Sequence, residues 1–229
     1  MFIKIGRPSS LKEISIADWN KSNSRSLLSI AVIDDKRFAY ADLLRKHDFN
    51  IVELGDISDI KAVSEYSIVV CDIKGVGKKF KSAAEGGHVI KEIRNRYPDK
   101  YIIAFSGSTF DPTFKKYFDS CDVAVKKDAD IEEWINALDG AIEVVGNPIK
   151  RWIRTRTILL EHEMELFEVL KLEQAYIKAI RKKNPKLIRA EADTVIFGKK
   201  ELLDESAQAL ASFVTKLISS GIVNSVTGG

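Results

Sequence analysis

Cysteine is scarce in this chain: its 229 residues contain two, Cys71 and Cys121. The pair has neither the Cys-x-x-Cys spacing of a zinc or redox site nor the density of a disulfide framework. Because both residues lie among apolar neighbours in the sequence, we expect them to be buried thiols.

Long apolar runs are also missing. No run approaches the ~18 residues that a membrane-spanning helix needs. The first residues, MFIKIGRPSSLKEISIADWNKSNS, lack the apolar stretch and cleavage site of a signal peptide. We therefore expect no membrane span and a cytoplasmic protein.

An excess of charge of one sign is absent as well. The sequence has 36 basic and 33 acidic residues, and the net charge of +3 is too small to indicate nucleic-acid binding by itself. The residues after 148 are mildly basic, which fits a protein partner, a membrane surface or phosphate contacts equally well.

What the sequence does contain is five short apolar runs that alternate with helical stretches. The runs are residues 27–33, 50–54, 66–71, 100–105 and 122–125. The helical stretches are residues 37–47, 56–65, 86–98, 110–120 and 130–145. Each run has the length and β-branched composition of a strand buried on both faces, and strict alternation indicates parallel pairing. The predicted fold class is α/β: a (βα)5, doubly wound, parallel five-stranded sheet of the flavodoxin-like type.

Polar side chains stand at the carboxyl ends of these runs, where such sheets bind ligands. They are Asp34 and Asp35 after the first run, Asp72 after the third, Ser106 after the fourth, and Lys126 and Lys127 after the fifth. Adjacent carboxylates have two explanations: a hard cation such as Mg²⁺, or a solvated turn in which Asp35 caps a helix near Lys36. The convergence of these groups at four strand ends favours the metal site.

Four segments make residues 27–146 similar to the receiver domains of response regulators in two-component signalling. They are VIDD (32–35), VVCD (69–72), IIAFSG (102–107) and VKKDADIEEW (125–134). The resemblance implies that Asp72 accepts a phosphoryl group from a histidine kinase or a phosphotransfer protein.

The same resemblance implies a role for the other residues at the strand ends. Asp34, Asp35 and Asp72, with the backbone carbonyl of Lys74, are the implied Mg²⁺ ligands. Ser106 is the implied switch hydroxyl, and Lys127 the lysine that pairs with the phosphate. Lys127 is preferred to its neighbour because KDADIEEW is similar to the KDASPEEL found where some family members replace the usual Lys-Pro.

The loop after Asp72 is longer than the family pattern and delays the helix-opening glycine to Gly86. It carries Lys78, Lys79 and Lys81. It is either a tolerated surface insertion or a lid or partner contact whose lysines attract an anionic donor.

Ala124 is a second departure, because many family members have an aromatic ring here that moves with the switch hydroxyl. Phosphorylation is then read out differently, or the domain is a degenerate receiver that binds partners regardless of phosphorylation. We expect Phe105 to belong to the core.

The carboxy-terminal third predicts two amphipathic helices. Residues 149–184 have the apolar stripe of one long helix that ends near Pro185, and a heptad seam runs from Leu203 to Leu217. We expect an antiparallel hairpin that forms a homodimer through residues 149–220. Nucleic-acid binding is possible but not favoured, because the region shows no helix-turn-helix.

These features predict four parts. They are an amino-terminal extension (1–26), a receiver domain (27–147), a helical hairpin for output or dimerisation (148–222) and a flexible tail (223–229). The predicted function is a response regulator, a signalling protein with at most weak autophosphorylation or autodephosphorylation. The alternatives are a phosphorylation-independent adaptor and a DNA-binding regulator.

Overall fold

The structure is a computed structural model that describes residues 8–14, 25–107, 117, 119–184 and 186–197. The described residues fall into two compact units. One lies within residues 19–145, and the other combines residues 8–14 with the residues from 146 onwards. The four-part division predicted from the sequence stays a prediction.

Five parallel strands form the sheet of the first unit, in the order β2-β1-β3-β4-β5. They are β1 (Ser29–Ile33), β2 (Asn50–Glu53), β3 (Ile68–Asp72), β4 (Tyr101–Ser106) and β5 (Val123–Lys126). This is the flavodoxin-like order, in which β2 lies on one side of β1 and the following strands are added on its other side, beginning with β3. The predicted fold class is confirmed, and the carboxyl ends of β1 and β3 mark the expected ligand position.

Three helices that lie entirely within the described residues accompany this sheet: α1 (Ala41–Lys46), α2 (Glu85–Arg96) and α3 (Ile131–Gly146). The helix predicted over 56–65 was wrong, because only one 3₁₀ turn forms, over Ile60–Val63. The Asp59 side chain accepts the N–H of Lys61 and starts the turn, and the N–H of Ser64 bonds back to the Lys61 carbonyl and closes it. The helix predicted over 110–120 lies almost wholly outside the described residues.

Alternate residues along the strands pack into two apolar cores, one on each face of the sheet. One core joins Ile30, Val32, Ile68 and Val70 to Trp134 and Leu138 of α3. The other joins Ala31, Ile33, Val69 and Cys71 to Val89 and Ile93 of α2. Burial on both faces explains why these strands are continuous apolar runs without polar alternation. Of the two predicted buried thiols, Cys71 is fully buried and Cys121 is partly buried.

The second unit contains α4 (Pro148–Glu161), α5 (Leu166–Arg181) and α6 (Lys186–Phe197). The single long helix predicted over 149–184 was wrong. The chain turns at Glu163, which has a left-handed φ of 60°, and the N–H of Met164 bonds to the carbonyl of Leu159 at 3.0 Å. This is the bond pattern of a Schellman motif. Glycine usually takes the left-handed position, so a glutamate there gave no sequence signal.

Residues 186–197, expected from the sequence to connect two helices, are themselves helical. Ile188 and Ala192 of α6 are fully buried in one core with Leu172 and Ile177 of α5. Helix α6 therefore packs against α5, which also contacts α4. The predicted heptad seam from Leu203 to Leu217 lies outside the described residues.

Residues 8–14 belong to this helical unit. The N–H of Ser9 donates to Oε1 of Gln174 at 2.7 Å, and the Ser9 carbonyl accepts Nε2 of Gln174 at 2.9 Å. A 3₁₀ turn over Leu11–Glu13 follows, and Ile14 is buried in the same core as α4 and α5. Part of the predicted amino-terminal extension is thus integrated into the helical unit. No helix in the described ranges combines the length and apolar character needed to cross a membrane.

Candidate functional site

Three carboxylates meet at the carboxyl ends of β1 and β3. Ile33 pairs with Cys71 across these strands, so the next residues, Asp34 and Asp72, come side by side. One oxygen from each of Asp34, Asp35 and Asp72 lies within 4.8 Å of the others. The strand register therefore brings together the three carboxylates that the sequence predicted as metal ligands.

Asp34 is almost fully buried, and its Oδ1 accepts the N–H of Lys36 at 3.0 Å. Burial raises the pKa of Asp34, the hydrogen bond from Lys36 opposes this shift, and the charge of Asp72 adds to it. The alternative in which Asp35 caps a helix near Lys36 was wrong. Helix α1 begins at Ala41, and the Lys36 N–H bonds to Asp34.

Both oxygens of Asp72 have a donor. Its Oδ2 accepts Nζ of Lys127 at 2.6 Å, and its Oδ1 accepts the N–H of Lys74 at 3.2 Å. The Asp72 side chain is only 1% exposed, whereas that of Lys127 is 44% exposed. Burial lowers the pKa of Lys127, but the hydrogen bond and charge of Asp72 outweigh it and raise the pKa overall.

The geometry distinguishes the two adjacent lysines. Lys127 reaches Asp72, while Lys126 belongs to β5, where it pairs in register with Ser106 and is exposed. Ser106 ends β4 and is buried, and its carbonyl accepts the N–H of Lys127 at 3.0 Å. The sheet thus holds Ser106 and Lys127 together at the same edge as Asp72.

Many receiver domains have an aromatic ring at the position that corresponds to Ala124. In this chain Ala124 is an exposed residue of edge strand β5 and supplies no such ring. Phe105 is 1% exposed and packs against Phe38 and Trp134 with ring centroids 5.4 and 5.6 Å away. The prediction that Phe105 belongs to the core is confirmed.

Sequence reasoning missed the residues that position the loop between β3 and α2. The N–H of Gly75 donates to Oε2 of Glu85, and the N–H of Gly77 donates to Oδ1 of Asp56, both at 2.6 Å. A Cβ on Gly86 would lie 1.9 Å from the carbonyl oxygen of Asp72. The glycines of KGVGKK and AEGG were a visible signal for close backbone approach, but their partners were not.

The donor set suits a hard divalent cation. Three carboxylates supply oxygen ligands, and Asp34 and Asp72 are buried beside each other with like charge. Mg²⁺ takes such oxygens and keeps several waters. The implied ligand from the Lys74 carbonyl stays a prediction.

Comparison with known proteins adds a fold relationship. No family model matches the chain, and no curated protein sequence matches it. Among solved structures, it is similar to the DNA-binding response regulator of the LuxR family from Staphylococcus aureus, with 25% identity and a TM-score of 0.42. That match covers 50% of this chain and 98% of that one.

Two signal receiver domains are also similar to it. That of an HD domain-containing protein from Pseudomonas fluorescens Pf-5 has 17% identity and a TM-score of 0.43, covering 51% of this chain and 94% of that one. The signal receiver domain of a modulated diguanylate cyclase from Desulfovibrio desulfuricans G20 has 17% identity and a TM-score of 0.42, covering 50% of this chain and 93% of that one.

The strand order of the sheet confirms the flavodoxin-like fold class predicted from the sequence. The similar solved structures above are response-regulator and receiver structures, and each covers about half of this chain. Independently of them, the strand order 2-1-3-4-5 is that of the flavodoxin-like class.

Proposed function

We propose that this chain is a response regulator in which Asp72 accepts a phosphoryl group in a Mg²⁺-dependent reaction. The donor is a histidine kinase, a phosphotransfer protein or a small phosphodonor. The observation that carries the proposal is the group of three carboxylates with the Lys127 ammonium 2.6 Å from Asp72.

A carboxylate is a competent nucleophile toward phosphorus and forms an aspartyl phosphate. The Asp72 oxygen forms the new P–O bond while the bond between phosphorus and the leaving group of the donor breaks. Hydrogen bonds from Lys127 and the N–H of Lys74 hold the Asp72 carboxylate by both oxygens. This fixed orientation supplies the positioning on which phosphoryl transfer mainly depends.

Charge is the second requirement, because an anionic donor must approach a site with three carboxylates. Lys127 contributes one compensating charge, and phosphate accepts such a point charge well. Asp34, Asp35 and Asp72 would hold the Mg²⁺, which when bound supplies further positive charge for the transferred group. Ser106, at the same sheet edge, is the proposed hydrogen-bond donor to the new phosphoryl group.

Intact-mass spectrometry after incubation with acetyl phosphate and Mg²⁺ tests the proposal. We expect the wild-type chain to gain one phosphoryl group and Asp72→Ala to gain none. Asp128→Ala removes an exposed aspartate next to Lys127, and it serves as a matched control that keeps the gain. Chelation of the metal should abolish the gain in the wild type.

A folded wild-type chain that gains no phosphoryl group would contradict the proposal. The degenerate receiver acting as a phosphorylation-independent adaptor then becomes the better reading. Ala124 is the observation that favours this second candidate, since β5 presents no aromatic ring there to report a movement of Ser106.

The proposed output is protein association through the helical unit, as a homodimer within residues 149–220 in the cytoplasm. Leu166 and Phe167 at the start of α5 are 61% and 66% exposed, and Leu170, Ile153 and Leu160 are each more than 40% exposed. Five large apolar side chains exposed on two adjoining helices supply the contact area that an association surface needs.

A further inference from the structure

The loop between β3 and α2, residues 73–84, is anchored to the first unit at three points. Val76 is fully buried in the core beneath it, and the N–H of Gly77 donates to Asp56. Phe80 packs against the ring of His88 on α2, with centroids 5.7 Å apart. An anchored loop holds its lysines in defined places.

One of these lysines contacts a carboxylate of the candidate metal site. Nζ of Lys78 is 2.9 Å from Oδ2 of Asp35. The backbone of the loop approaches the same carboxylate, since a Cβ on Gly75 would lie 2.9 Å from Oδ1 of Asp35. Gly75 also has a φ of +91°, which glycine adopts at little steric cost. The loop therefore covers the Asp35 carboxylate with both a backbone segment and an ammonium group.

Two lysines thus pair with two of the three carboxylates. Lys127 bonds to Oδ2 of Asp72, and Lys78 bonds to Oδ2 of Asp35. A divalent cation held by Asp34, Asp35 and Asp72 would require oxygens from the same carboxylates. An ammonium and a metal ion cannot both occupy one side of the same carboxylate oxygen, because their charges repel at that distance.

We propose that Lys78 is an intramolecular competitor of the divalent cation at Asp35 and thereby sets the affinity of the site for Mg²⁺. Metal binding requires the Lys78 ammonium to release Oδ2 of Asp35. This inference rests on the metal site of the proposed function. It assigns to the long loop a role in controlling when the site is loaded.

The exposure of the pair determines how strong this competition is. The Lys78 side chain is 63% exposed, so its ammonium moves into water when it leaves Asp35, while the Asp35 side chain is 22% exposed. Exposed ion pairs contribute little free energy and are screened by salt. Lys78 therefore weakens metal binding by a modest factor and does not block the site.

Calorimetric titration of the full chain with Mg²⁺, without phosphodonor, measures the effect directly. We expect Lys78→Gln to bind Mg²⁺ about two- to fivefold more tightly than the wild type at low ionic strength. Lys79→Gln removes the same charge from the same loop, and no ion pair of Lys79 occurs among the described residues. This control should change the affinity by less than about twofold.

Thermal unfolding with and without Mg²⁺ separates competition from a structural role. Without metal, we expect the unfolding midpoint temperature of Lys78→Gln to equal that of the wild type or to lie below it. We expect Mg²⁺ to raise this midpoint more in Lys78→Gln than in the wild type, because a ligand that binds more tightly stabilises the folded state more. A purely structural role would lower both midpoints equally.

Equal Mg²⁺ affinities for the wild type and Lys78→Gln, with binding present in both, would overturn the competition while leaving the metal site intact. Absence of Mg²⁺ binding in all three proteins would overturn the inference together with the metal dependence of the proposed function. The two failures are therefore distinguishable.

Discussion

The sheet edge at Asp34 and Asp72 differs from the core of the helical unit in how its buried polar side chains are paired. In the helical unit, two buried side chains have well-matched partners: the indole N–H of Trp152 donates to Glu173, and the hydroxyl of Tyr176 donates to the carbonyl of Pro148. In the sheet unit, Asp34 and Asp72 are buried beside each other with like charge. The sheet edge therefore holds like charge that opposes folding, whereas these two contacts of the helical unit do not.

This difference indicates where ligand chemistry resides. Like charges in close contact lower stability unless a cation compensates them. A chain keeps such an arrangement where a ligand relieves it, so the sheet edge at Asp34 and Asp72 is the place to expect a cation and an anionic substrate. The polar pairs of the helical unit need no such ligand, and that unit is better suited to association.

Truncating the main aromatic side chain of the helical unit should produce the largest effect. Trp152 is 1% exposed and stacks on Tyr176 with ring centroids 4.9 Å apart. Trp152→Ala should lower the free energy of unfolding of this unit by about 3 to 5 kcal/mol, because it leaves a large cavity. Trp152→Phe keeps an aromatic ring beside Tyr176 and loses the bond to the Glu173 carboxylate, at a cost of about 1.5 to 3 kcal/mol.

Urea unfolding followed by far-ultraviolet circular dichroism measures both Trp152 variants. Phosphoryl acceptance at Asp72 should persist in them. A joint loss of helical structure and phosphoryl acceptance would contradict the independence of the two units, since each would then depend on the other for stability.

Adding a methyl group beneath the acceptor should damage the sheet unit. Gly86→Ala places a Cβ against the carbonyl of Asp72, and we expect a loss of about 2 to 3 kcal/mol from overpacking. Gly140→Ala on α3 meets no atom within 4 Å, and it should raise stability by about 0.5 to 1 kcal/mol. Chemical denaturation of both variants checks this, and a Gly86→Ala variant as stable as the wild type would refute the close approach.

A negative charge among the exposed apolar side chains of α4 and α5 should weaken the proposed homodimer. We expect Phe167→Glu to raise the dimer dissociation constant at least about tenfold, as an exposed aromatic contact is lost. Leu27→Glu, which alters a residue 67% exposed in the sheet unit, should leave it unchanged. Light scattering over a concentration series tests both, and a wild type that is monomeric throughout would contradict the proposed homodimer.

Neutralising one buried carboxylate should stabilise the sheet unit in the absence of metal. Asp34→Asn keeps the oxygen that accepts the Lys36 N–H and removes the charge, so we expect the free energy of unfolding to rise at pH 7. Asp128→Asn, an exposed change, should give no such gain. Thermal unfolding in the presence of a chelator measures the difference.

The pH dependence of this gain has a definite sign. The pKa of Asp34 is raised in the folded state, so its ionisation lowers stability as the pH rises through that value. The advantage of Asp34→Asn should therefore be full at pH 7 and vanish as the pH falls towards the ordinary value of 3.8. An advantage that persists at low pH would point to packing instead of charge.

The fold of the sheet unit could be predicted because its signals are local. Apolar runs of strand length, their alternation with helical stretches and the polar residues after each run are readable without knowing the contacts. Parallel pairing then brings the carboxyl ends of neighbouring strands together, which is why Asp34, Asp72 and Lys127 could be expected at one edge before any distance was known.

The helical unit was predicted less well because its breaks lack the usual residues. Glu163 and Lys183 take left-handed conformations with φ of 60° and 48° at the ends of α4 and α5. Neither glycine nor proline marks the first of these ends. A periodic apolar stripe runs through such a break, so periodicity alone suggested one helix.

The sequence by itself determined the order of elements, the sheet and the carboxylates at its edge, because hydrophobic periodicity and strand-end chemistry are local properties of the chain. Only the tertiary structure decided that Lys78 lies on Asp35, that residues 8–14 join the helical unit and that Lys127 reaches Asp72. Those contacts join residues distant in the chain. They depend on loop paths and side-chain packing that no local pattern encodes.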